Sequence, residues 1–491
     1  MAAERLTRSL HRTADAAGKF QSRWAPVEAL MTSTTSISES AIEAYGSSLA
    51  SYSGTGHLTL ASGKVVSCSF LAGQLENGKT ILLCASPDQR LELLFGLTTP
   101  VRMEGLTSHG LTVETLGDLS ETNYLPDRSD HTSKWLALRV GHLRVSSPKV
   151  RTRKRLNYLL SNVSGIHAPT CLTLNKVRLE LRPLDLASKN LRRVEVSRGV
   201  LPTAELEATT TAAEEHVSES ADEICYLLSL ALGSKVQWIA LTEATKAHRW
   251  IRKHHYSHVT KRYGALHVLD PRGQEVAAFI QAAADGRYTR AREQSGLTNA
   301  VLDTYLDAKS EGDFLQVRAL KLVIAVEMLK AEFMTLSGLS SDIVSPETFD
   351  AVVPGLKTAV EQGLPGSARK EQRGALYSNI LGLNRTPFAS QMQRLCSAVR
   401  MPLAAGELKR FVYSRNKLVH EGSFYCERAT NDEKARLQPL SDVLSEWFWL
   451  LHFVDRLFLR CINYEGPYIN WSKPGLDVLG PGAQPTPAPD C

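Results

Sequence analysis

The chain has 491 residues, too many for one hydrophobic core, so two or three domains are expected. Hydrophobic residues make up 43% and charged residues 22%, which are the proportions of a folded protein and exclude an extensively disordered or fibrous one. The formal net charge of +6 permits a polyanionic partner without demanding one.

In chain order, residues 1–50 are polar and rich in small side chains, and read as a flexible arm without a signal-peptide core. Residues 51–205 change texture: "GHLTLASGKVVSCSFLA", "KTILLCAS", "KWLALRVGHLRV" and "VRLELRPL" are short alternating runs punctuated by Gly, Ser, Asn or Asp. That pattern predicts a β-rich, sandwich- or barrel-like antiparallel domain. Within it, 149–155 "KVRTRKR" reads first as a solvated loop, and alternatively as a phosphate-contacting patch through Arg153, Lys154 and Arg155. Residues 206–300 read as a linker, covering the Ala/Thr/Glu-rich 203–220, and then a mixed α/β lobe packed with the N-terminal module. That lobe is expected to hold a helix near 221–232 and strands near 235–242, 247–259 and 262–270.

From 301 to 465 the period becomes helical. "FLQVRALKLVIAVEMLKAEFM" at 314–334 is apolar nearly all round and predicts a central helix, with others near 347–362, 368–382, 388–400, 405–421 and 433–463. The run "WFWLLHFVDRLFLRCI" carries His452, Asp455, Arg456 and Arg460, so it reads as a core helix and not a membrane span. Residues 466–491 form a Pro/Gly-rich tail expected to be disordered. The fold class expected is therefore α+β multidomain, β-rich in front and all-α behind. Eight cysteines without a C-x-x-C pair or zinc spacing read as reduced thiols of a cytoplasmic protein, and no membrane partner or cofactor is expected. There is no Walker-type loop, no H-E-x-x-H and no G-x-S-x-G.

The pattern R-x4-H occurs three times: Arg249–His254, Arg262–His267 and Arg415–His420. About one match is expected by chance, so context must separate them. Residues 246–262 hold four histidines and six Lys/Arg interleaved with Trp250 and Tyr256. Such a surface could grip RNA through Arg249, Arg252, Lys253 and His254, or be only the solvated face of a sheet.

The third match lies in "SRNKLVHEGSF". On a helix over 407–421, Leu408, Phe411, Val412, Leu418 and Val419 form an apolar stripe with Arg415 in its middle. A charge there needs a carboxylate partner or a function. His420 falls about 140° from Arg415, so one straight helix cannot aim both at one group, whereas two antiparallel helices of a homodimer could. Gly422 is a natural C-cap, placing His420 in the last turn at the negative end of the helix dipole, a position that favours holding a proton. A proton-carrying histidine near an arginine suits phosphodiester cleavage. The alternative is that Arg415 is a structural ion-pair partner and His420 a cap residue, and helical geometry leaves both open.

"RNKLVHEG" resembles the R-x4-6-H signature of HEPN (higher eukaryotes and prokaryotes nucleotide-binding) domains, with Asn416 at the polar position that follows the arginine. "LKLVIAVEMLKAEF" is similar to a HEPN helix bearing an acidic residue, here Glu327, that faces the motif. The β-rich front followed by "ICYLLSLALGSKVQWIAL" resembles the ApeA-like HEPN ribonucleases of bacterial anti-phage defence. The resemblance implies a bundle that dimerises across the motif helix. It implies a metal-independent endoribonuclease acting on tRNA, mRNA or phage RNA in abortive infection or growth arrest, under control of a phage-derived trigger or an antitoxin. Arg415 and His420 would be catalytic, Asn416 would orient them and Glu327 would support Arg415. Some HEPN domains are not nucleases, so a non-catalytic binding or dimerisation module is the alternative implied.

Overall fold

The computed structural model describes residues 47–86, 100–121, 125–126, 134–147, 155–174, 177–185, 201–208, 214–244, 250–256, 266–283, 286–310, 312–364, 370–473 and 475–480, with positions 42, 187 and 190. The chain divides into two compact units, residues 1–263 with 271–284 and residues 264–270 with 285–491. Most of the expected arm lies outside the described residues, but its end does not: the first strand starts at Ser48.

The first unit is β-rich. Its strands are β1 (Ser48–Leu60), β2 (Val65–Leu75), β3 (Thr80–Ala85), β4 (Pro100–Thr107), β5 (Thr112–Glu121), β6 (Leu125–Pro126), β7 (Lys134–Ser146), β8 (Arg155–Ser161), β9 (Thr170–Leu174), β10 (Val177–Pro183), β11 (Pro202–Ala208), β12 (Gln237–Ala244) and β13 (Trp250–Tyr256). β3 pairs with β2 on one side and with the first half of β7 on the other. β1, β2, β3, β7, β5 and β4 thereby close into a six-stranded antiparallel barrel, with β6 added to the start of β7. Closure removes free edges, and period-2 alternation fills the interior with Leu58, Phe70, Leu82, Met103, Val113 and Leu138. Gly105 belongs to this packing, because a Cβ there would sit 2.3 Å from the Phe70 ring.

β7 is long enough to serve two sheets. Leu136–Val140 pair with β3, while His142–Ser146 pair with β13, which opens a second antiparallel sheet in the order β13-β12-β8-β11-β10-β9. Helix α1 (Glu214–Leu232) lies on that sheet, joined by Tyr158 Oη to Ser218 Oγ at 3.1 Å and by Trp238 Nε1 donating to Asp222 Oδ1 at 2.6 Å. Helix α2 (Glu275–Ala282) completes the unit.

Two expectations fail here. Of the "linker" 203–220, residues 203–208 belong instead to β11 and 214–220 are the first two turns of α1, with 209–213 outside the described residues; small residues at the buried positions Ser220 and Ala221 conceal the helical period. The strand expected over 262–270 is absent from 266–270, and the rest of it lies outside the described residues.

The second unit is helical: α3 (Arg287–Ser295), α4 (Asn299–Lys309), α5 (Leu315–Leu336), α6 (Pro346–Gly363), α7 (Lys370–Leu381), α8 (Phe388–Ala398), α9 (Glu407–Glu421), α10 (Tyr425–Arg428), α11 (Asn431–Arg436) and α12 (Val443–Cys461). α5 is central, packed against α3, α4, α8, α9 and α12. The single helix expected over 433–463 is two, α11 and α12, because Asp442 caps a new start by accepting from Ser445 N at 2.9 Å. The tail expected to be disordered from 466 begins with an ordered hairpin, β14 (Pro467–Ile469) and β15 (Leu476–Val478), anchored by buried Tyr468. Residues 481–491 lie outside the described residues.

Among the described residues, the bundle holds a fully buried ion pair between Lys309 and Asp455. Asp455 of α12 accepts from Tyr305 Oη at 2.6 Å and from Lys309 Nζ at 3.1 Å, and Lys309 also donates to the Leu266 carbonyl at 3.0 Å. Burial raises the Asp455 carboxyl and lowers the Lys309 ammonium from their usual values, each charge opposing the other's shift.

Candidate functional site

Arg415 lies on α9, whose period sends Phe411 and Leu418 into the core and leaves Leu408 and Val412 half-buried and Val419 exposed. The sequence placed Arg415 at the centre of a buried stripe. The structure moves it to the rim, with 22% of its side chain exposed.

The guanidinium is held on three sides. Nε donates to Glu327 Oε1 at 2.9 Å and Nη2 lies 2.7 Å from the same oxygen. Nη1 donates to Asn416 Oδ1 at 2.9 Å. The group lies over the Phe388 ring, 5.0 Å from its centroid. Lys330 takes the other Glu327 oxygen at 2.9 Å and sits 5.1 Å over the same ring. Two of the five guanidinium N–H groups thus donate hydrogen bonds, Nη2 faces Glu327 as an ion pair, and N–H groups remain for an incoming anion. Glu327 and Asn416 are thus the two polar partners of the guanidinium. Phe388 and Lys330 were missed; Lys330, one turn after Glu327 on α5, could have been found from its i,i+3 spacing.

α9 runs unbroken to Glu421 and ends at Gly422 in the left-handed conformation, φ 64°. His420 is exposed in the last turn, and its ring hydrogen-bonds to no described residue. One chain does not bring it to Arg415. The same end of α9 carries Lys417, bridged to Glu421 at 2.8 Å and to Glu433 of α11 at 3.4 Å.

Among the described residues, the RNA-contact residues expected in the first unit do not form one surface. Arg249, Arg153 and Lys154 lie outside the described residues. Strand alternation on β13 sends Arg252 and His254 to one face and Lys253 to the other, where Lys253 and Arg155 share a face two strands apart. Arg155 is paired with Glu207 at 2.7 Å and Arg252 lies 3.8 Å from Glu243. Lys253 lies 5.1 Å over the Trp250 ring, and burial lowers its ammonium pKa.

His254 is buried in a polar seam where the barrel meets the open sheet. Its Nε2 lies 3.0 Å from Glu243 Oε1, so with an ionised Glu243 it donates there and its Nδ1 accepts from His142 Nε2 at 2.9 Å. Beside it, Gln74 Nε2 donates to the carbonyls of Ile239 and Tyr256, which leaves Gln74 Oε1 to accept from His255 Nδ1 at 3.0 Å. His255 Nε2 then accepts from Tyr52 Oη at 2.9 Å. Burial pulls His142 down to about 4 and His255 down to about 3, with the neighbouring histidines and the cations Arg144 and Lys253 acting in the same direction.

Among the described residues, no three His, Cys, Asp or Glu side chains are grouped to hold a metal ion, and no helix is long and apolar enough to cross a membrane. No family model, no curated protein and no solved structure matches the chain.

Proposed function

We propose that the helical unit carries a HEPN-type, metal-independent endoribonuclease site, acting in bacterial anti-phage defence or growth arrest. The observation that supports this reading best is Arg415 itself, held by Glu327, Asn416 and Phe388 at a rim where 22% of its side chain stays exposed and where it keeps N–H groups beyond its two hydrogen bonds. A purely structural ion pair has no need of that exposure. His420, on the next exposed part of the same helix, supplies the proton-transfer group. The ribose 2′-oxygen attacks phosphorus, His420 moves the proton, and the 5′-oxygen leaves protonated. The products are a 2′,3′-cyclic phosphate and a 5′-hydroxyl. Arg415 offsets the charge that builds on the phosphate oxygens. The roughly 140° between the two side chains calls for a second copy of α9, so the working form is a homodimer across this helix.

A second reading rests on the same contacts. Arg415, already paired with Glu327, could serve a non-catalytic dimerisation platform whose β-rich unit recognises a ligand. Cleavage of total RNA in EDTA by the wild type and by His420→Ala distinguishes the two. The nuclease reading expects cyclic-phosphate ends from the wild type and a loss of at least about a hundredfold in the variant, the lower end of the range for losing a general acid or base. Equal cleavage by both proteins removes His420 from the chemistry. Under the platform reading neither cleaves, and Arg415→Ala lowers thermal stability.

A further inference from the structure

Two cations share one carboxylate at Glu327. Elsewhere in the helical unit Lys321 meets two carboxylates, Asp307 and Asp313, and Lys417 also meets two, Glu421 and Glu433. Lys309 and Arg456 have one each, Asp455 and Glu407. At Glu327 the ratio is reversed. Its Oε1 holds Arg415, with Nη2 at 2.7 Å, and its Oε2 accepts from Lys330 Nζ at 2.9 Å. Two positive charges therefore stand against one negative charge on a patch whose side chains are only 15% (Lys330), 22% (Arg415) and 27% (Glu327) exposed. Like charges placed side by side repel, and partial burial weakens the screening by water.

The Phe388 ring offsets part of that repulsion. Arg415 Cζ lies 5.0 Å and Lys330 Nζ 5.1 Å from its centroid, so the electron-rich face steadies both cations. Hydrogen-bond donors are in excess as well. Both oxygens of Glu327 are taken. Asn416 turns its Oδ1 to Arg415, and its amide nitrogen donates to no described residue. Lys330 has three N–H groups, and among the described residues it makes one hydrogen bond. The cluster thus lacks an acceptor that carries negative charge and brings no donor of its own. A phosphodiester group has that chemistry.

We propose that Lys330 is a second phosphate-binding residue of this site, gripping the backbone of the RNA strand beside Arg415. The identity of the polyanion rests on the RNA-cleaving reading above. The Glu327 carboxylate lies between the two cations and keeps them from closing on a single phosphate. Arg415 takes the phosphate that reacts and Lys330 the one next to it, so Lys330 binds the strand without touching the reacting atoms. Phe388 is a positioning residue that holds the two cations side by side. Both contacts are to the backbone, which carries no sequence information of its own.

The test uses a fluorescent RNA oligonucleotide carrying 2′-O-methyl groups, which lacks the attacking hydroxyl and is bound without being cut. Its affinity for the full chain is measured by anisotropy over a salt series in EDTA. Lys330→Met keeps the length of the side chain and removes its charge. It is expected to weaken binding severalfold and to reduce the slope of log K against log salt by about 1. Lys330→Arg is expected to keep both near wild type. A purely structural ion pair would lower the melting temperature of Lys330→Met and leave the slope alone. Unchanged affinity and slope in Lys330→Met therefore overturn the proposal, as does a wild type that does not bind the probe. Cleavage of unmodified RNA is read separately. Cleavage that needs His420, with a slope untouched by Lys330→Met, removes Lys330 and leaves the nuclease reading standing. A slope that falls in Lys330→Met, with no cleavage by the wild type, supports the phosphate-binding residue and removes the nuclease reading.

Discussion

At the scale of single residues, position in the chain and surroundings in the fold do different things. Helical spacing placed Arg415, Asn416 and His420 on α9, and the structure agrees with that placement and with Gly422 as the cap. Spacing could not supply what lies 88 residues away, the Glu327 carboxylate. His254 shows the opposite outcome. Basic and aromatic neighbours suggested a nucleic-acid contact, but alternation fixes only which face a side chain takes, and His254 is buried against Glu243 and His142. The seam carries a consequence for pH. His142 and His255 have folded values below that of a free histidine, about 6.5, so the unfolded chain binds their protons more readily. Their contribution to stability is complete above about pH 6.5 and is lost as pH falls toward 4 and then 3. His255→Gln is therefore expected to flatten the fall in urea midpoint between pH 7 and 4, measured on the full chain. A slope identical to wild type would remove His255 from that dependence.

At the scale of elements, the long periodic segments were legible. α5, α6, α7, α8 and α9 lie within a few residues of where the sequence puts them; α8 and α9 carry an apolar stripe that survives tertiary packing, and α5 is a long apolar run. The elements that were misread have weak local signals: α1 opens with polar residues, and the break before α12 rests on the single cap Asp442. The charges in α12 were read only as arguments against a membrane span. Their structural role needed Lys309 from α4, 146 residues away. Lys309→Met leaves Asp455 buried without its cation and is expected to cost about 3–5 kcal/mol of stability. Lys309→Met with Asp455→Leu should recover much of that loss, because the unpaired charge has gone. Chemical denaturation of the three proteins measures it, and a double variant no better than the single would place the cost elsewhere.

For the whole molecule, alternation over 51–205 predicted a β-rich front but not how it closes. Closure depends on register, on β3 finding the first half of β7 while β13 takes the second, and no local pattern encodes which strands meet. The division into a β-rich and a helical unit was readable from composition and period; the chain's passage into the second unit at 264–270 and back was not. The central claim, that Arg415 and His420 act on one phosphodiester across two copies of the chain, belongs at this scale. Its most direct test is to mix Arg415→Ala and His420→Ala proteins, each inactive alone, after subunit exchange. Half of the dimers in an equal mixture are mixed, and each mixed dimer holds one intact site of two, so about a quarter of wild-type RNA cleavage is predicted. No recovery in a mixture shown to have exchanged subunits would contradict a site shared between chains.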